Sequence, residues 1–327
     1  MNIHLCPALG YTLLQMKRLL IVGSLAYDRI MTFPGHFRDH FVPDQLHNIS
    51  VCFPVGAPSI VFGGTAGNIA YNLSMLGASA QMLAKAGNDF AAYEERLKEN
   101  GIATTTVEVF GDIPTASAYI TTDQGNNQIT AFSAAADARS YSLDVDMDDV
   151  ALAIVAPTGA DDMRAFPARF KEANVPYLFD PGQQLPALAA EDLRASISGS
   201  RGLLVNDYEL SLVLEKTGWD EDRLLGETEL LIVTLGEAGS RIRTHSEEIH
   251  VEAVPAAQVI DPTGAGDAYR AGLMHGLVSG LGLKESAQIA STVATYAVEC
   301  YGTQNHRFTI DELTKRYETS YGTPFPL

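Results

Sequence analysis

Asp261-Pro262-Thr263-Gly264-Ala265-Gly266-Asp267 sets a glycine-lined turn before an expected helix start and puts a carboxylate in the first turn of that helix. Ala268, Ala271, Leu273 and Leu277, among small neighbours, predict that this helix is buried, with Gly264, Ala265 and Gly266 at its N-terminus. Backbone N–H groups there lack intrahelical partners and the helix dipole is positive, which suits an anion or a developing negative charge. Asp267 then reads as a general base for a hydroxyl held above this anion hole, the pairing that phosphoryl transfer needs. Taken alone, the pattern also fits a plain helix start in which the glycines turn the chain and Asp267 complements the dipole.

Outward from this stretch, short apolar runs alternate with helical patterns from Leu19 to Thr295. Leu19–Val22, Gln81–Ala84, Leu152–Ala156, Tyr177–Phe179, Gly202–Val205 and Leu230–Thr234 predict strands. Continuous apolar strands of this kind belong to a parallel sheet covered by helices on both faces. Helices are expected at Ala66–Leu76, with Ile69, Leu73 and Leu76 on one face and Gly77 as the stop, and at Ala287–Val298. Segments of about 34–62 and 104–132 break the alternation with β-branched, turn-separated stretches. Val107-Glu108-Val109 and Ala118-Tyr119-Ile120-Thr121, with a turn at Gly125-Asn126, predict a second, smaller sheet inserted into the α/β body as a lid. Residues 1–15 read as an N-terminal extension, and Met16-Lys17-Arg18 as the beginning of a single domain that runs to Leu327.

The strand ends carry polar groups. Gly63-Gly64-Thr65-Ala66-Gly67-Asn68 precedes the first helix; its glycines let a substrate approach the backbone, and Asn68 offers a donor and an acceptor to hydroxyls. Asp28, past the first strand, sits where a carboxylate can accept from two vicinal hydroxyls, or is simply a loop acid. Asn206 and Glu209, three apart after another strand, can approach phosphates or a hydrated metal; a capping box is the alternative, and the two roles are compatible. Thr234-Leu235-Gly236 begins a tight turn.

A net charge of −18 argues against nucleic acid as a partner, and it leaves a phosphate-bearing ligand to local dipoles and metal ions. With 46% hydrophobic and 19% charged residues the composition is that of a globular protein, and no apolar run is long enough to span a membrane. Cys6, Cys52 and Cys300 show neither disulfide nor zinc spacing, which points to the cytoplasm.

Together and in this order, GGTAGN at 63–68 and DPTGAGD at 261–267 resemble the two signatures of the ribokinase-like (PfkB) family of carbohydrate and nucleoside kinases, over about Lys17 to Arg307. The resemblance implies a three-layer α/β sandwich with a mostly parallel central sheet and a small β-sheet lid. It implies ATP as donor, Asp267 as catalytic base and Gly264, Ala265 and Gly266 as the anion hole. Asp28, Gly63, Gly64 and Asn68 would bind acceptor hydroxyls, and Thr234 and Gly236 would belong to the nucleotide loop. Asn206 and Glu209 would serve the phosphates and Mg²⁺, Glu209 through water, and Asp261, Thr263 and the backbone near Gly302 would hold K⁺.

Within the family, Phe33-Pro34-Gly35-His36-Phe37, Asp180-Pro181-Gly182-Gln183-Gln184-Leu185, Asn206-Asp207-Tyr208-Glu209, Lys216-Thr217-Gly218-Trp219 and Gly302-Thr303-Gln304 are similar to bacterial adenosine kinases of the actinobacterial type. That similarity implies that Gln183, Gln184 and Ser24 contact adenine and that Phe132 stacks on it; a plain polar loop is the alternative for the glutamines. Cys52 stands where a serine is expected, and a phenylalanine is missing near Ala118. The expected reaction moves the ATP γ-phosphoryl to a primary hydroxyl, adenosine O5′ foremost, with free-sugar kinases and a non-catalytic nucleoside- or sugar-binding protein as alternatives. Exposed lid edges suggest a homodimer joined through the lid.

Overall fold

The computed structural model describes residues 18–41, 50–125 and 127–327. The expected extension at 1–15, Cys6, part of the first lid segment and Asn126 of the lid turn lie outside the described residues.

The chain begins with β1 (Arg18–Val22), β2 (Ala26–Thr32), β3 (Ser59–Gly63), α1 (Thr65–Met75), β4 (Ala80–Ala86), α2 (Ala91–Glu99) and β5 (Val107–Val109). It continues through β6 (Ala116–Thr122), β7 (Gln128–Ser133), β8 (Val150–Val155), α3 (Ala160–Glu172), β9 (Tyr177–Phe179), α4 (Ala190–Ile197), β10 (Gly202–Asn206), α5 (Asp207–Thr217) and α6 (Glu221–Leu225). The last elements are β11 (Leu230–Thr234), β12 (Ser240–Arg243), β13 (Glu248–Val251), α7 (Ala265–Val278), α8 (Leu283–Val298) and α9 (Ile310–Tyr321).

A nine-stranded sheet runs β13-β12-β11-β10-β9-β8-β1-β4-β5. Its strands pair in parallel from β5 across to β11, and β12 and β13 close one edge as an antiparallel hairpin. The period-2 geometry of strands sends alternate residues to opposite faces. Leu19, Ile21, Met82, Ile154, Leu204 and Ile232 pack with α1, α2, α7 and α8 in one core. Leu20, Val22, Leu83, Val155, Val205 and Val233 pack with α3 to α6 in the other. The apolar runs are continuous because both faces are covered, and the result is a three-layer sandwich. Among the described residues no helix is long and apolar enough to cross a membrane.

A separate four-stranded sheet, β3-β2-β6-β7, forms the lid. Its β2 and β6 are parallel, while β3 and β7 run antiparallel to them on the two edges. Two strand expectations change. Val107-Glu108-Val109 is β5, paired with β4 at the edge of the large sheet rather than in the lid. Asp28 is not in a loop: it lies within β2, the first lid strand, which starts at Ala26 almost directly after β1. Beyond β2 the lid has its own aromatic packing, with Phe53 5.0 Å from Phe33 and 4.9 Å from Phe37 between ring centroids.

Candidate active site

Two helix starts meet at the carboxyl edge of the large sheet. Gly264, the N-cap of α7, has φ 81°, and a Cβ there would stand 2.9 Å from Thr303 Cγ2, so both conformation and space require glycine. Gly64, the N-cap of α1, has φ 88°, and its Cβ would fall 2.6 Å from the Ser24 carbonyl oxygen. These turns let the two helices approach until Asn68 Nδ2, on α1, donates to Asp267 Oδ2, on α7, at 2.8 Å.

A chain of buried hydrogen bonds fixes Asn68. Gln304 Nε2 donates to Asn68 Oδ1 at 3.0 Å and to the Tyr93 hydroxyl at 2.6 Å, and that hydroxyl donates to the Gly63 carbonyl at 2.7 Å. With Oδ1 occupied by Gln304, the Asn68 amide must present its N–H groups to Asp267. Burial pushes the Asp267 carboxyl up to about 6, against the opposing effects of Arg270 and the Asn68 hydrogen bond, while Asp180 adds to the rise. A carboxylate tuned in this direction is a stronger proton acceptor near neutral pH.

Asp28 approaches from the lid. Burial, and then the Asp261 charge, push it up to about 6 as well. Register places Asp28 opposite Ala118, and Ala118 opposite Phe132, so these residues share one face of the lid. Phe132 is 56% exposed on that face, an uncovered ring whose cross-strand neighbour is only alanine.

Asp261 joins two loops: its Oδ1 accepts from Thr263 N at 2.9 Å and its Oδ2 from Gly302 N at 3.0 Å. Each oxygen keeps a lone pair, so a monovalent cation beside this junction fits the donors present. Asn206 and Glu209 form the capping box of α5, with Asn206 Oδ1 accepting from Glu209 N at 2.7 Å and Glu209 Oε2 from Asn206 N at 2.8 Å. Glu209 Oε1 has no hydrogen bond to the described residues, and burial raises the group. No cluster of three or more His, Cys, Asp or Glu side chains forms a metal cage among the described residues. Mg²⁺, where a nucleotide brings it, is usually held by substrate phosphates, its own waters and one or two carboxylates, and the free Glu209 Oε1 could serve as one.

Thr234 ends β11 in register with Asn206 on β10, and Gly236 follows in the open turn to β12. Gln183 and Gln184 occupy a 3₁₀ turn after β9, and their side-chain amides have no hydrogen bond to the described residues. Ser24 is buried and committed elsewhere: its Oγ accepts from Thr65 N at 3.2 Å and so holds the start of α1. No local pattern marks Gln304 or Tyr93 as part of the site, because their partners are distant in sequence; only the Gly302-Thr303-Gln304 stretch carries a signal near it.

A three-layer sandwich with a small separate sheet and a carboxyl in the first turn of α7, taken with the relatives that follow, makes the chain a phosphotransferase acting on an alcohol group. It belongs to the family described as pfkB family carbohydrate kinase, whose model matches residues 16–309. The chain is 32% identical over 306 residues to a nucleoside kinase of Methanocaldococcus jannaschii, covering 93% of this chain and 98% of that one. The solved structure of the M. jannaschii nucleoside kinase superposes with a TM-score of 0.84 at 30% identity, covering 93% and 99%. The Burkholderia thailandensis nucleoside kinase in complex with inosine superposes with a TM-score of 0.82 at 40% identity, covering 94% and 99%. The same enzyme in complex with ADP-inosine gives 0.79 at 41%, covering 94% and 97%. Bacillus subtilis ribokinase is 24% identical over 305 residues, covering 91% and 98%.

Proposed function

We propose that the chain transfers the γ-phosphoryl group of ATP to the 5′-hydroxyl of a purine nucleoside, adenosine foremost, giving ADP and the nucleoside monophosphate. The observation that carries this reading is the Asn68–Asp267 hydrogen bond at the start of α7, which supports Asp267 as the base beside the helix start, where Gly264 N–H and Gly266 N–H have no hydrogen bond to the described residues and Ala265 N–H makes only a long one, 3.3 Å, to the Pro262 carbonyl. Asp267 takes the hydroxyl proton, while the amides of Gly264, Ala265 and Gly266 receive charge on the phosphoryl oxygens. Asn68 and Asp28 hold acceptor hydroxyls, and closure of the lid excludes water. Mg²⁺, held by the phosphates and reached by Glu209 through water, would neutralise phosphate charge, and K⁺ near Asp261 would steady the adjoining loops.

Two features support a nucleoside over a free sugar. Higher identity to nucleoside kinases than to ribokinase is one. The uncommitted amides of Gln183 and Gln184, together with the exposed Phe132 ring, are the other: a planar heteroaromatic base presents both ring donors and acceptors for the amides and a flat π-face for the ring. ADP release from MgATP, measured against adenosine, inosine, pyrimidine nucleosides, ribose and fructose with and without K⁺, tests the assignment. Turnover with purine nucleosides is expected; turnover confined to free sugars overturns the base pocket, and none with any acceptor overturns the kinase reading.

A further inference from the structure

Arg270 lies one turn beyond Asp267 on α7, and the reaction as described leaves it idle. Its Nε donates to Asp180 Oδ2 in a charge-assisted hydrogen bond. Asp180 is fully buried immediately after β9, and its other oxygen has no hydrogen-bond partner. A buried ion pair recovers its desolvation cost poorly, so stability alone is a weak reason for a cation here. The guanidinium carries five donors, and neither Nη group has a hydrogen bond to the described residues.

The direction of the free end is informative. Arg270 Nη1 occupies the space that a Cβ on Gly266 would fill, so the guanidinium lies across the first turn of α7 beside the anion-hole amides. Asp180, Glu209 and Asp267 all lie within its field. In a chain of net charge −18, a triphosphate arriving at this helix start meets three carboxylates and this one arginine among them.

We propose that Arg270 is a catalytic residue of the phosphoryl transfer: Asp180 positions it through Nε, and its Nη groups donate to the non-bridging oxygens of the transferring phosphoryl group. The inference rests on the kinase reading above. The acceptor oxygen forms its bond to phosphorus as the bond to the ADP oxygen breaks; the acceptor proton goes to Asp267, and Arg270 stays protonated throughout. A planar, always-charged fork suits the spread of charge over those oxygens, and a lysine at the same place would offer only a point charge.

The test compares wild-type, Arg270→Ala and Arg270→Lys enzymes in steady-state assays from pH 6 to 9, with nucleoside affinity measured by calorimetry. Arg270→Ala is expected to lose on the order of 100-fold in kcat, and Arg270→Lys at least about 10-fold, while nucleoside affinity changes by less than about three-fold. The loss should persist at pH 9, and added guanidinium ion should restore part of the Arg270→Ala rate. A merely supportive role predicts the opposite: removing the cation raises Asp267 further, so raising the pH would restore the rate. Either that recovery at pH 9 or a kcat within about three-fold of wild type overturns the proposal. Should Arg270→Ala fail to fold, Arg270→Lys decides on the same criteria. Wild-type turnover in the same assay tests the kinase reading separately, so the two failures are distinguishable.

Discussion

Asp267 and Asp28 carry the pH dependence at the scale of single residues. Both carboxyls are pushed up to about 6 by burial, and in the proposed reaction both must be ionised, one to take a proton and the other to accept hydroxyl hydrogen bonds. As pH falls through 6 both acquire protons, so kcat/KM for the nucleoside should fall with a limiting slope near two on logarithmic axes. Asp28→Asn should reduce that slope to one, with a weaker KM at neutral pH; an unchanged slope would remove Asp28 from the titrating pair. The stability sign is the reverse of the catalytic one. A carboxyl raised above its unfolded value stabilises the fold when protonated, and that contribution is lost as pH rises through the folded value. Asp28→Asn should therefore raise Tm at pH 8 relative to wild type, by a margin that shrinks toward pH 4.

Between elements, the site depends on bonds that join distant segments. Gln304, from the loop after α8, is what orients Asn68 on α1. Gln304→Ala should cost about 10-fold in kcat/KM through misplacement of Asn68, and a modest fall in Tm from the two buried hydrogen bonds lost, to Asn68 Oδ1 and to the Tyr93 hydroxyl. On β4, the buried Lys85 ammonium pairs with the carboxylates of Asp162 on α3 and Asp137, and donates to the Asp137 carbonyl at 3.0 Å. It fastens the segment that follows the lid strand β7 to the body. Lys85→Ala leaves two buried carboxylates without their cation and should cost about 3–5 kcal/mol in unfolding free energy, read from denaturant melts. A loss below about 1 kcal/mol would show that water replaces the ammonium. These links were illegible in the sequence for one reason: periodicity and capping are local signals, whereas Gln304–Asn68, Lys85–Asp162 and Arg270–Asp180 join residues far apart along the chain. Local signals served well where they applied, as in the apolar runs of β1, β8, β10 and β11, the glycine turns before α1 and α7, and the capping box of α5. They misled at Val107–Val109, a short stretch whose partner strand, not its own pattern, decides which sheet it joins.

For the whole molecule, the arrangement is a three-layer sandwich carrying a small sheet with open edges. β7 is exposed along its full length, β3 forms the opposite edge, and Ile60, Tyr119 and Ile129 add exposed apolar area. Unpaired edges of this kind invite strand pairing or covering, and we propose that a second copy of the chain covers the lid. Light scattering should give twice the chain mass at micromolar concentration, and Tyr119→Lys combined with Ile129→Lys should shift it toward the monomer; a concentration-independent monomer mass would contradict the lid dimer. The central claim, that Asp267 drives phosphoryl transfer to a nucleoside hydroxyl, is tested most directly by ADP release with MgATP and adenosine, comparing wild type with Asp267→Asn. The substitution keeps an oxygen for the Asn68 hydrogen bond but removes the base. The account predicts a loss of about 10²–10⁴ in kcat with adenosine affinity nearly unchanged; near-native turnover by Asp267→Asn would contradict it.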